Sequence, residues 1–78
     1  MSMEEKVKEK FKKLGVQIKK LREERNLTIK ELSEKTGIRK EYLQKIEGGT
    51  AYGVLINKHL QKIAKELNIK LYQLFDFE

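Results

Sequence analysis

The stretch LTIKELSEKTGIRKEYLQKIEGG, residues 27 to 49, constrains this chain more than any other. It holds two short amphipathic segments joined at Gly37 and closed by a pair of glycines. Thr28 and Glu31 have the spacing of a capping box, which starts a helix running to about Thr36. Gly37 is the natural residue for a tight turn with positive φ, and another helix follows from about Arg39 to Glu47. Leu32, Ile38, Leu43 and Ile46 fall where the two helices bury them against each other. The outward side of the second helix is left with Lys40, Glu41, Gln44 and Lys45.

The flanking sequence supplies what such a pair needs to pack against. Apolar residues recur at Val7, Phe11, Leu14, Ile18 and Leu21, giving a first helix that begins at Met3 after a Ser2–Glu5 capping pair and ends near Arg25. Asn26 suits the left-handed position after it. Gly15 inside the stripe weakens that helix by about 1 kcal/mol relative to alanine. After the loop GGTAYGV, Ile56, Leu60, Ile63, Ala64 and Leu67 predict a fourth helix over roughly Leu55 to Leu67. Asn68 ends it, and a last short helix carries Leu71, Leu74 and Phe75. No segment alternates long enough to demand a strand, and proline is absent. The expected fold is all-α, a compact bundle of five helices in one domain spanning 1–78.

Composition narrows the function classes. The 78 residues contain no cysteine, so neither disulfides nor thiolate metal sites hold the domain together, which fits a reducing, cytoplasmic setting. No apolar run approaches the roughly 20 residues that span a bilayer. The net charge of +6 is spread along the chain rather than gathered in a tail, which favours a folded domain with a positive side and a polyanionic partner. With two serines, one histidine and no cysteine, no nucleophile–base–orienter set is available. Glu4–Glu5 and Glu23–Glu24 sit among lysines and arginines and read as ion-pair partners. No catalytic residue, metal site or cofactor is expected, and the lone His59 suits a surface or interface role.

The sequence resembles the lambda-repressor-like helix-turn-helix family, also called the Cro/repressor or XRE type, over about residues 14–75. The resemblance is carried by Leu14-Gly15, Ile18, Leu21-Arg22-Glu23-Glu24, Leu27-Thr28, Glu31-Leu32-Ser33, Gly37-Ile38, Leu43, Ile46-Glu47-Gly48, Ile63-Ala64-Lys65-Glu66-Leu67 and Leu71…Leu74-Phe75. Residues 1–13 extend the first helix beyond it. That family binds operator DNA, usually as a two-fold dimer, with its third helix in the major groove and its second bridging the backbone. The resemblance implies base reading by Lys40, Glu41, Gln44 and Lys45, with Arg39 at the helix entrance. The wheel of the third helix selects nearly the same set, because Glu41 and Lys45 point most directly away from Leu43 and Ile46.

The side-chain chemistry suits that role. Lysine donates to guanine O6 and N7, glutamate accepts from cytosine N4, and glutamine pairs with adenine N6 and N7. Tyr42 is expected at a phosphate or a thymine methyl. Thr28 and Lys30, at the start of the second helix, are the other backbone candidates, while Lys19, Lys20 and Arg25 add diffuse charge. The resemblance also implies an ion pair between Arg22 and Glu47, joining the first helix to the end of the third.

Four departures from the family pattern stand out. Ile29 replaces a frequent DNA-contacting glutamine, and is expected to pack on a neighbour or a sugar face. Arg39 replaces the usual Ser or Thr cap, and Ser33 a packing alanine. The loop after the third helix lacks the frequent proline and is about two residues longer.

The expected function is a transcriptional regulator without enzymatic activity, binding double-stranded operator DNA as a homodimer. Its dimer contacts would come from the last two helices and the Tyr72–Phe75–Phe77 tail, or from the Val7–Phe11 stripe. The alternative is a protein-interaction module: an antitoxin holding a toxin, or a coactivator-like bridge to a polymerase.

Overall fold

The computed structural model describes residues 2–77; Met1 and Glu78, the ends of the expected domain 1–78, lie outside the described residues. Four α-helices account for most of them: α1 (Met3–Glu24), α2 (Ile29–Thr36), α3 (Lys40–Glu47) and α4 (Gln61–Glu66). No strand occurs among the described residues.

Local capping signals explain the first two. The Ser2 hydroxyl accepts the Glu5 N–H at 3.2 Å and opens α1. The chain leaves α1 through Asn26, whose φ of +56° is the left-handed turn expected of it. Thr28 and Glu31 then cap α2 reciprocally. The core collects Leu14 and Ile18 from α1, Leu32 from α2, Leu43 and Ile46 from α3, and Leu60, Ile63, Ala64 and Leu67 near the C-terminal end. Burying such side chains contributes about 1.5–3 kcal/mol each for the larger ones.

The expected fifth helix, and the regular fourth, require correction. The segment Ile56–Leu60 is one π-helical turn that runs into α4. The Leu60 N–H bonds to the Leu55 carbonyl five residues back, at 3.1 Å. One extra residue in that turn delivers Leu60 to the core while leaving Ile56 half exposed. The last element, Leu71–Phe75, is a 3-10 turn rather than an α-helix. Its packing follows a three-residue spacing, Leu71, Leu74 and Phe77, which matches three residues per turn. The Gln17 side chain donates to the carbonyls of Gln73 (3.0 Å) and Asp76 (3.3 Å), tying this turn to α1. Phe75 and Tyr72 stay largely exposed, so only part of the aromatic tail plugs the core.

Gly15 has a different meaning in space than in sequence. A Cβ built on it would lie 2.4 Å from the Glu47 carbonyl oxygen and 2.5 Å from that of Ile46. The glycine therefore sets how closely α1 can approach the end of α3. Gly49 does the same for the following loop, where a Cβ would meet the Lys12 main chain at 2.7 Å.

Candidate nucleic-acid interface

The turn between α2 and α3 is closed by side chains as well as backbone. Gly37 takes φ +75°, and its N–H reaches the Ser33 carbonyl at 2.8 Å. Open space surrounds it, so the backbone angle rather than crowding calls for glycine. The buried Thr36 hydroxyl donates to the Leu32 carbonyl at 2.8 Å and accepts the Ile38 N–H at 3.2 Å. Ser33 donates its hydroxyl to the Ile38 carbonyl. The side-chain oxygens buried in this turn all have partners, which ties the two helices together at a set angle.

α3 begins without a side-chain cap at Arg39, as its residue type suggests. Leu43 and Ile46 are fully buried, while Lys40, Glu41, Gln44 and Lys45 are exposed. These four side chains form one polar face on a rigidly backed helix. Its far end is held by Arg22, whose Nε and Nη2 donate to the Glu47 carboxylate at 2.7 and 2.9 Å. The remaining Nη1 donates to the Leu27 carbonyl at 2.7 Å. Only 10% and 8% of the two side chains remain accessible, so this is a buried, two-pronged pair linking α1, the α1–α2 connection and α3. The fork to Glu47 outweighs burial and keeps the Arg22 guanidinium more firmly charged than usual.

At the start of α2, Thr28 and Lys30 are exposed. The Thr28 N–H donates to the Glu31 carboxylate at 2.9 Å, and the Glu31 N–H to the Thr28 hydroxyl oxygen at 3.0 Å. The N–H and then the hydroxyl of Thr28 hold the Glu31 carboxyl below the usual carboxylate range. Ile29 packs against the core edge.

Tyr42 stands apart from the other α3 candidates. It is half buried, and its ring lies 4.9 Å from that of His59, tilted by 53°. His59 in turn accepts the Leu55 N–H on Nδ1 at 3.2 Å, bracing the π turn. Beside this ring pair, Arg39, Lys58 and Lys62 border a surface hollow of about 480 Å³. Lys58 and Lys62 are not among the residues expected at the interface, although their four-residue spacing puts them on one helix side. Arg25, expected to add only diffuse charge, has a structural role instead. In the fold its guanidinium donates to the Leu67 carbonyl and, at 3.0 Å, to that of Leu21, closing the end of α4 against α1.

The profile of a helix-turn-helix domain family matches residues 15–77, four-fifths of the chain. The chain belongs to the helix-turn-helix domain family. The match is consistent with the lambda-repressor-like resemblance and points to DNA binding and regulation, in a family that is typically non-enzymatic. No curated protein and no solved structure matches the chain. The helix-turn-helix unit proper is α2, Gly37–Arg39 and α3, and the first half of α1 precedes the matched region. Among the described residues, no helix is long and apolar enough to cross a membrane, and no group of His, Asp or Glu is arranged to hold a metal ion.

Proposed function

We propose that this protein is a sequence-specific transcriptional regulator of the repressor type, acting in the cytoplasm on a two-fold symmetric operator. α3 enters the major groove, with Lys40, Glu41, Gln44 and Lys45 reading base edges. Thr28, Lys30, Arg39 and Tyr42 contact the backbone. Two copies bind half-sites whose centres are roughly 34 Å apart, or a multiple of that. The observation that carries this reading is the uninterrupted polar face of α3, exposed on a helix anchored at its start by the Gly37 turn and at its end by Arg22–Glu47. A reader needs both properties, because a base contact is selective only when the donor is held in register.

Selection of bound duplexes from a random pool tests it. The expected product is one palindromic sequence bound about 10³-fold or more tighter than random DNA. Within that site, Lys45→Ala relaxes preference at one base pair at a cost of about 1–3 kcal/mol. Lys30→Ala weakens every duplex alike. Equal affinity for all duplexes defeats the specific reading and leaves the protein-interaction alternative, which the exposed Met3 and Val7 on the leading half of α1 would serve.

A further inference from the structure

We infer that the hollow between Arg39, Lys58 and Lys62 seats one phosphate of the duplex backbone, and that seating it draws a proton onto His59. The inference rests on the proposed docking of α3 in DNA and adds Lys58, Lys62 and a proton on His59 to it.

Three elements bring the cations together: the entrance of α3 supplies Arg39, the π turn Lys58 and α4 Lys62. No carboxylate borders the hollow, and among the described residues none of the three makes an ion pair. Lysines and arginines elsewhere on this chain are interleaved with glutamates along the same helix, as in KEKFKK and KKLREER. Unpaired cations around one concave spot instead create a local positive potential with room for an anion. The hollow adjoins Tyr42 on the flank of α3 rather than the polar face that carries Lys40, Glu41, Gln44 and Lys45. A uniformly positive flank carries no base-sized pattern of donors and acceptors. Its chemistry is that of a backbone contact.

His59 makes the seat sensitive to acid. Its Nδ1 accepts the Leu55 N–H, so the neutral ring carries its hydrogen on Nε2. The groups around the ring are Arg39 and Tyr42 from the α3 side, Lys58 on the π turn and Lys62 on α4; Gly37 and Ile38 bring no charge. Burial, and then Lys58 and Lys62, hold the imidazole below its ordinary range. A phosphate between those lysines offsets their charge and favours the imidazolium, whose added proton goes to Nδ1 and replaces the bond from the Leu55 N–H. Binding and protonation are reciprocal: if the phosphate raises the proton affinity of His59, acid must raise the affinity for DNA.

The test uses the full chain and its selected duplex, with affinity measured against KCl at pH 7.5 and pH 5.8. Each phosphate contact contributes about 0.9 to the slope of log K on log salt. The double variant Lys58→Gln/Lys62→Gln should lower that slope by about 1 and weaken all duplexes alike, while Lys65→Gln, on the exposed part of α4, should not. The wild type should bind about threefold or more tighter at pH 5.8, from coupling of the size usual between linked sites, and His59→Gln should flatten that dependence. By NMR, the His59 titration should move to higher pH on adding duplex, and not on adding inorganic phosphate at 10 mM. An unchanged salt slope in the double variant, a pH-independent wild type, or an equal shift with inorganic phosphate overturns the seat while duplex binding persists. Absence of any duplex binding at low salt instead sinks the parent reading, and the seat with it.

Discussion

Replacing Gly15 by alanine should destabilise this protein, although helix propensity alone argues the opposite. Taken as an isolated helix position, the change stabilises α1 by about 1 kcal/mol. In the fold, the new methyl carbon would stand 2.4 Å from the Glu47 carbonyl oxygen, 2.5 Å from the Ile46 oxygen and 2.8 Å from the Glu47 carbonyl carbon. A carbon–oxygen contact relaxes at about 3.3 Å, so α3 must retreat by about 0.9 Å. All three obstructing atoms are backbone at the end of a helix and cannot rotate aside. Overpacking of this kind typically costs about 1–3 kcal/mol. The retreat also stretches the Arg22–Glu47 fork, because its 2.7 and 2.9 Å bonds end on the side chain of the same Glu47 whose carbonyl is pushed away. Weighing these against the propensity gain, we expect a net loss of about 2 kcal/mol, since the fork takes the strain to the upper end of that range.

At about 4–8 °C per kcal/mol for a domain of this size, the midpoint of thermal unfolding should fall by about 8–16 °C. Gly53→Ala is the internal control, because a Cβ there meets nothing within 4 Å and the backbone is not left-handed. It should leave the midpoint unchanged or slightly raised. A Gly15→Ala midpoint at or above wild type would refute the close-approach account of the α1–α3 contact.

Three further outcomes can be checked by denaturant or thermal unfolding. Glu47→Gln or Arg22→Met alone should cost about 3–5 kcal/mol by leaving a buried charge unmatched, whereas Arg22→Met with Glu47→Leu should recover most of it; a single variant costing under about 1 kcal/mol would show that the pair is effectively solvated. Thr28→Ala should remove about 1 kcal/mol with the α2 cap, and should move the Glu31 carboxyl only part of the way back towards its ordinary range in an NMR titration, because alanine keeps the backbone N–H that is the larger cause. Because the folded state disfavours the charged form of His59, its contribution to stability is present above the unfolded-state value near 6.5 and is lost as pH falls through the lower folded-state value. Unfolding free energy should therefore fall below about pH 6.5 in the wild type and do so less in His59→Gln.

The parts of the fold legible in the sequence are those whose cause is local. Ser2–Glu5 and Thr28–Glu31 announce helix starts because the capping bonds lie within one turn. Asn26 and Gly37 announce left-handed turns because that angle depends mainly on the residue itself. The polar face of α3 is legible too, since a wheel anchored on Leu43 and Ile46 needs no tertiary knowledge. What sequence missed depends on partners distant along the chain. Gly15 reads as a weak point of α1 until the end of α3 is seen against it. Arg25 reads as solvent charge until the Leu67 carbonyl is found at its tip. The π turn escapes a periodicity scan because one surplus residue shifts Ile56 outward while leaving the apolar run intact.

That surplus residue leaves the chain a reserve of length. A regular α-helical turn would bridge the same gap with one residue fewer, so the stretch before Leu60 stores slack that deletion can remove without dragging α4 out of place. Loss of one residue between α3 and α4 can thus be absorbed in a single coil of backbone, with Leu60, Ile63 and Leu67 kept in place.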